Sequence, residues 1–258
     1  MSAPRKLTIY ERNQLLKYSL KESDLLTKGN LPVEYLTGYV NFCGLDVAVD
    51  ANVLIPRVET EELVGYVLDF VKKLDKPLRY LEVGTGSGAI SLAVFAALQK
   101  TRKSQPEKFI VSDVSPVALE LAKKNFQSLF DLASLREIDF IVSDLLTEIT
   151  PQAFDVIVAN LPYIPSGAME SLDASVKDYE PALALDGGET GFELIARMLR
   201  QIMASDFLAF GGKIFLEVHE THTKEFVEQH FADINAKFTL EEIKDQFARQ
   251  RFLVLQSL

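Results

Sequence analysis

The sequence predicts an α/β fold, an open and largely parallel sheet with helices packed on its faces. Short apolar runs rich in Val and Ile alternate with segments of helical spacing, the pattern of successive βαβ units. Three of those runs end in a polar side chain, at Asp113, Asp144 and Asn160, and a fourth leads into a glycine-rich turn at 84–88. In open α/β sheets such strand ends are where ligands sit.

Composition narrows the class. The chain has 258 residues, 48% hydrophobic and 25% charged, ample for one large α/β unit and a small appendage. No apolar run approaches the roughly 20 residues needed to span a membrane, and no secretory apolar core follows the basic start. A monomer in the cytoplasm, without membrane anchorage, is the expectation. The single cysteine, Cys43, excludes an internal disulfide. His219 and His222 read as a solvated strand-to-helix junction, and no metal is expected. The formal net charge is −10, with acids scattered along the whole length, which argues against a stable nucleic-acid footprint.

Residues 1–30 carry leucines at roughly helical spacing, so one or two short helices are expected, stopped at Gly29-Asn30. Residues 31–60 read as a β-hairpin linker centred on Gly44. A main unit follows over 61–258. It opens with a helix over 61–74, where Thr60 and the acids after it mark a helix start, and Arg57 on the preceding loop is suited to binding a carboxylate. Strands are expected at 79–83, 108–112, 138–143, 155–159, 211–218, 238–242 and 251–255, which makes seven. Helices are expected at about 89–98, 116–126, 190–208 and 221–231, and 166–179 as a loop that serves as lid or substrate wall.

The run Asp155-Val156-Ile157-Val158-Ala159-Asn160-Leu161-Pro162-Tyr163 is the most informative stretch. A buried strand delivers Asn160 to the sheet edge, and Pro162 restricts the backbone behind it. The Asn160 amide with the carbonyls of Asn160 and Leu161 can grip an NH2 group, and Tyr163 offers a flat face to a planar partner. A strand-to-loop turn with a capping Asn is the alternative for this stretch alone.

Asn160-Leu161-Pro162-Tyr163 resembles the (Asn/Asp/Ser)-Pro-Pro-(Tyr/Phe/Trp) motif of methyltransferases that act on a nitrogen conjugated to a carbonyl or ring. Leu161 stands where the first proline is usual, which keeps the carbonyl acceptor and is expected to loosen the backbone. Leu54-Ile55-Pro56-Arg57-Val58-Glu59-Thr60-Glu61 and Tyr179-Glu180-Pro181 with Ala184-Leu185 resemble two further blocks of the release-factor glutamine methyltransferases, the HemK/PrmC family. The resemblance runs from about residue 31 to the C-terminal end, and the helical segment before it is shorter than the family's usual N-terminal domain.

That resemblance implies a seven-stranded, Rossmann-like class I fold that uses S-adenosylmethionine to methylate a glutamine side-chain amide, in the Gly-Gly-Gln loop of a peptide-chain release factor. Cofactor residues would then be Glu82, Gly84, Thr85, Gly86, Ser87 and Gly88, with Asp113 for the ribose diol, Asp144 and Leu145 for adenine, and Asn160. Glu82 favours a cationic ligand, since a carboxylate repels a diphosphate and attracts a sulfonium and an ammonium. Asp144 as the cap of the following turn stays open. Asn160, Leu161, Pro162 and Tyr163 would be catalytic and would bind substrate together with Glu180 and Pro181. An adenine-N6 methyltransferase of DNA or RNA, and a non-catalytic S-adenosylmethionine-binding scaffold, are the alternatives.

Overall fold

The computed structural model describes residues 5–101 and 106–257. Three short helices come first, α1 (Ile9–Lys17), α2 (Glu22–Leu26) and α3 (Val33–Thr37), then a hairpin of β1 (Tyr39–Phe42) and β2 (Leu45–Ala48) and the helix α4 (Val58–Val71). The alternating part follows as β3 (Arg79–Val83), α5 (Ala89–Thr101), β4 (Lys108–Asp113), α6 (Pro116–Leu129), α7 (Leu132–Leu135), β5 (Ile138–Val142) and β6 (Phe154–Ala159). Beyond it lie β7 (Ile164–Pro165), α8 (Ala174–Lys177), β8 (Asp186–Gly188) and α9 (Glu193–Ala204). The last elements are β9 (Leu208–Glu217), α10 (Lys224–His230), α11 (Ala232–Asn235), β10 (Phe238–Lys244) and β11 (Gln250–Ser257).

The seven-stranded sheet has the order β10-β11-β9-β6-β3-β4-β5. Only the β11 pairings, to β9 and to β10, are antiparallel. From β3 the chain builds outward to β5, then returns to lay β6 on the other side of β3. That reversal opens a crevice at the carboxyl ends of β3 and β6. One apolar cluster fills the face under α4, α5 and α6 and the other the face under α9, with Tyr80, Phe109, Phe126, Phe192 and Phe252 fully buried.

The elements depart from the sequence expectation in four places. The start of the hairpin linker is helical, because Pro32 holds the N-cap and Gly38 closes α3 in the left-handed region at φ 77°. Helix α4 begins at Val58, ahead of Thr60, with Arg57 as an extended N-cap. The expected helix over 190–208 ends at Ala204, and Leu208 already pairs with Phe154 at the start of β9. The segment 166–179 contains a 3-10 turn (Ser166–Ser171) and α8 where a structureless loop was expected, and it is flanked by β7 and β8.

The hairpin is seated on the sheet unit. Val40, Phe42, Val47 and Val49 belong to its main apolar cluster, whereas Leu15, Leu25 and Val33 form a small separate cluster for the first helices. Asn125 of α6, buried at 3% exposure, accepts from Ala48 N and donates to Ala48 O and Ser87 O. One side chain therefore fastens the hairpin to the glycine-rich loop. Asn125→Ala is expected to lower the unfolding free energy by about 2–4 kcal/mol, because it orphans buried backbone groups as well as losing hydrogen bonds. Urea denaturation checks this, and a loss under about 1 kcal/mol would show that water replaces the clasp.

Candidate active site

The crevice holds a cavity of about 340 Å³. Strand β3 and its loop contribute Glu82, Gly84, Thr85, Gly86 and Ser87, β4 contributes Asp113, the end of β5 contributes Asp144 and Leu145, and β6 delivers Asn160, Leu161 and Pro162. Pro181 and Leu183 close the wall side, and Leu54, Pro56 and Thr60 come from the stretch that enters α4. Residues expected from five separate segments of sequence are thus brought together.

The glycine-rich loop is turned in on itself. Gly84 N and Thr85 N donate to Ser112 O at 2.9 Å, Gly88 N donates to Thr85 O, and Gly86 N donates to Asp113 Oδ2 at 2.8 Å. Four amides that could otherwise meet a phosphate are thus already committed. Gly88 does not line the cavity; a Cβ there would stand 3.1 Å from Ala122 Cβ, so its bareness lets α6 approach.

Glu82 lies 1% exposed, and its Oε2 accepts from Ser91 Oγ, from Ser91 N at 3.1 Å and from Thr85 Oγ1 at 2.8 Å. It ties β3 to the loop and to α5. Burial raises its pKa to about 7, against those three hydrogen bonds. Asp113 accepts from Gly86 N and from Ser115 N at 2.8 Å, so its carboxylate is aimed before any ligand arrives, and burial raises its pKa. Asp144 pairs with Arg197 at the rim. Leu145 is 6% exposed and held at φ 55°, a strained conformation for a branched side chain at a ligand-lining position.

The donor set fits S-adenosylmethionine. Three acids, an apolar wall and a loop with four of its amides already committed suit a ligand with two cationic groups, a diol and a flat base, and suit a diphosphate poorly. Asp113 would hold the diol, Asp144 and Leu145 the base side, and Glu82 would favour the cationic end through its field. Among the described residues no group of three or more His, Cys, Asp or Glu is placed to hold a metal ion, and no helix is long and apolar enough to cross a membrane.

On the other side stands Asn160, whose Nδ2 donates to Thr60 Oγ1 at 3.5 Å. Leu161 is 4% exposed and packs where a Cβ on Gly84 would fall, 2.8 Å from its Cδ2. The backbone expected to be loose is fixed by this packing. From behind, Gly187 presses on the same turn so closely that a Cβ there would lie 2.6 Å from Pro162 O.

Two expected contact residues do not line the cavity. Tyr163 donates its hydroxyl to Glu217 Oε1 at 3.1 Å and sits against His219, so its ring is set into the protein instead of offered as a stacking face. Glu180 gives its carboxylate to Arg57 and to Ile55 N, tying the wall to the stretch before α4. His222 is fully buried, its Nδ1 accepting from His219 N and its Nε2 donating to Thr190 O, and burial pushes its pKa down to about 4, so this histidine is not part of a solvated junction. The sequence reading overlooked Glu217 and the Thr60 hydroxyl; the only signal was a lone acid closing an apolar strand.

Residues 74–246 match the family described as a methyltransferase domain. The chain is 36% identical over 230 residues to the release factor glutamine methyltransferase of Rhodopirellula baltica, covering 87% of this chain and 73% of that protein. It is 31% identical over 255 residues to the Bacteroides thetaiotaomicron protein of the same name, covering 96% and 85%. Among solved structures, human methyltransferase 10 domain containing protein superposes with a TM-score of 0.55 at 16% identity, over 98% of this chain and 99% of that one, a likeness of fold.

Two outcomes test the cofactor side. Asp113→Ala should weaken S-adenosylhomocysteine binding by about 1.5–3 kcal/mol, and an unchanged calorimetric dissociation constant would remove Asp113 from the site. Because the Glu82 pKa is raised above its ordinary 4.5 to about 7, the folded state holds that proton more tightly than the unfolded. The stability it lends is complete below the ordinary value and is lost as pH rises through about 7. Relative to wild type, Glu82→Gln should therefore gain on the order of 2–3 kcal/mol between about pH 5 and about pH 8 in urea denaturation. A difference that stays constant with pH would contradict the assignment.

Proposed function

The chain belongs to the release factor glutamine methyltransferase family, and from that premise we propose that it transfers a methyl group from S-adenosylmethionine to the side-chain amide of the glutamine in a release factor's Gly-Gly-Gln loop. The observation that carries this reading is Asn160, with Leu161 and Pro162, at the end of an acid-lined cavity. When bound, S-adenosylmethionine supplies an electrophilic methyl on a sulfonium.

A primary amide nitrogen is a poor nucleophile because its lone pair is delocalised into the carbonyl. Asn160 Oδ1 and the Leu161 carbonyl would accept its two N–H hydrogens, which raises electron density on nitrogen and orients the lone pair. Acceptors fixed in place need no reorganisation during transfer, and the packing of Leu161 on Gly84 fixes one of them relative to the cofactor loop. The methylated nitrogen is strongly acidic and gives its proton to water, so no charged base is required.

The charge of the cavity weighs against a nucleic acid. It is lined by the acids Glu82, Asp113 and Asp144, and among the described residues Arg197 is the only basic one that lines it, paired to Asp144.

Incubation with methyl-labelled S-adenosylmethionine and either release factor or DNA should place the label on the release-factor glutamine alone. Label on DNA would select the adenine-N6 reading, and no label on either would select the scaffold. In the same assay Asn160→Ala should lower kcat about 100-fold or more while S-adenosylhomocysteine binding stays near wild type. A wild-type rate in that variant would move the reacting site elsewhere.

A further inference from the structure

Behind Asn160 lies a buried cluster that the transfer itself does not use. Glu217 is the last residue of β9, 1% exposed, and its two oxygens each accept a hydroxyl: Oε2 from Thr60 at 2.7 Å and Oε1 from Tyr163 at 3.1 Å. The parallel pairing of Ala159 with Leu216 sets Glu217 beside Asn160 at the end of the sheet. Thr60 stands in the first turn of α4 and meets both, so β6, β9 and α4 converge on one carboxylate.

We propose that Glu217 is a positioning residue that sets the polarity of Asn160 through the Thr60 hydroxyl. A threonine hydroxyl has one proton, and an ionised carboxylate can only accept. With that proton committed to Glu217, Thr60 presents lone pairs alone to Asn160, so the amide must turn Nδ2 toward it, as observed. Oδ1 is left for the cavity side, the acceptor that the substrate's N–H requires. The inference rests on the glutamine-methylation reading, since only an amide donor in the substrate makes this orientation matter. Glu217 fixes the Tyr163 ring by the same kind of bond.

Protonating Glu217 reverses the relay. A carboxylic acid can donate to Thr60, which frees the threonine proton to point at Asn160 and favours the opposite amide orientation. Burial holds the Glu217 pKa above the usual carboxylate range, opposed by the Thr60 and Tyr163 hydroxyls and by Arg251 of β11, and reinforced by Glu59 of α4. His219, against the Tyr163 ring, is kept neutral to lower pH by its own partial burial.

The test is a kinetic series at saturating S-adenosylmethionine with release factor as acceptor, alongside melting temperature and calorimetric S-adenosylhomocysteine binding. Thr60→Val removes the hydroxyl at constant shape and should cut kcat about tenfold or more with KM and cofactor affinity near wild type; Thr60→Ser should recover most of the rate. Wild-type kcat should fall on the acid side as Glu217 takes up a proton; Glu217→Gln imitates the protonated acid, so its kcat should be low and free of that acid limb. The proposal is overturned if Thr60→Val keeps the wild-type kcat, if Thr60→Ser is as slow as Thr60→Val, or if the acid limb persists in Glu217→Gln. Failure of wild type itself to label glutamine would remove the functional reading, and this inference with it, whereas failure of the variants alone removes only the relay.

Discussion

Strands β3 and β6 lie side by side, and the turns that leave them are in contact: a Cβ on Gly84 would stand 2.8 Å from Cδ2 of Leu161. Everything the site does depends on that approach. One turn carries the proposed cofactor residues and the other the proposed acceptors for the substrate nitrogen, and their separation is set by a single buried side chain against a bare backbone. A larger residue at 84 would push the turns apart, and a smaller one at 161 would leave a void between them. Methyl transfer is sensitive to such spacing, because rate gained from orientation is lost with small displacements.

The second constraint comes from outside the sheet. Arg57 and Glu180 join the stretch before α4 to the wall segment, and Tyr179 donates to Lys28 O in the N-terminal part. Glu180 is nearly fully buried while Arg57 is partly exposed, so removing the arginine would strand a carboxylate where water reaches it poorly. The wall is therefore anchored on two sides before any substrate meets it. Gly187 lets the same wall lie directly on the Pro162 carbonyl, which completes the enclosure of the turn after β6.

Much of this was legible in the sequence where the signal is local. Strand β6 is buried throughout and β3 and β4 beyond their first residues, so their runs are largely apolar, and Asp113 and Asn160 stand out as the polar residues at the ends of β4 and β6. Loop lengths and the glycine spacing then place those residues at one edge. What stayed hidden is set by contacts between distant segments. Glu217 meets Thr60 across 157 residues, and nothing in an apolar strand ending in an acid says which hydroxyl it will bind. Tyr163 looked like an exposed ring because an aromatic after a proline carries no mark of the carboxylate that draws it inward. The start of α4 was misplaced because Arg57 makes no side-chain cap, and α3 was overlooked because five residues between Pro32 and Gly38 are too few for a helical period to show.

The position of β11 bears on how such a chain acquires its site. It follows every other strand among the described residues, yet it is inserted between β9 and β10 and covers the length of β9 from Lys213 to Glu217. Until it is synthesised and docked, β9 has an open edge, and Arg251 is absent from the surroundings of the Glu217 carboxylate. Active protein and complete sheet therefore appear together: a nascent chain that already contains the glycine-rich loop and Asn160 still lacks the strand that encloses their support. Pairings of this range close slowly and leave an apolar edge unprotected meanwhile, which makes the interval before β11 docks the period in which the polypeptide is most exposed to aggregation.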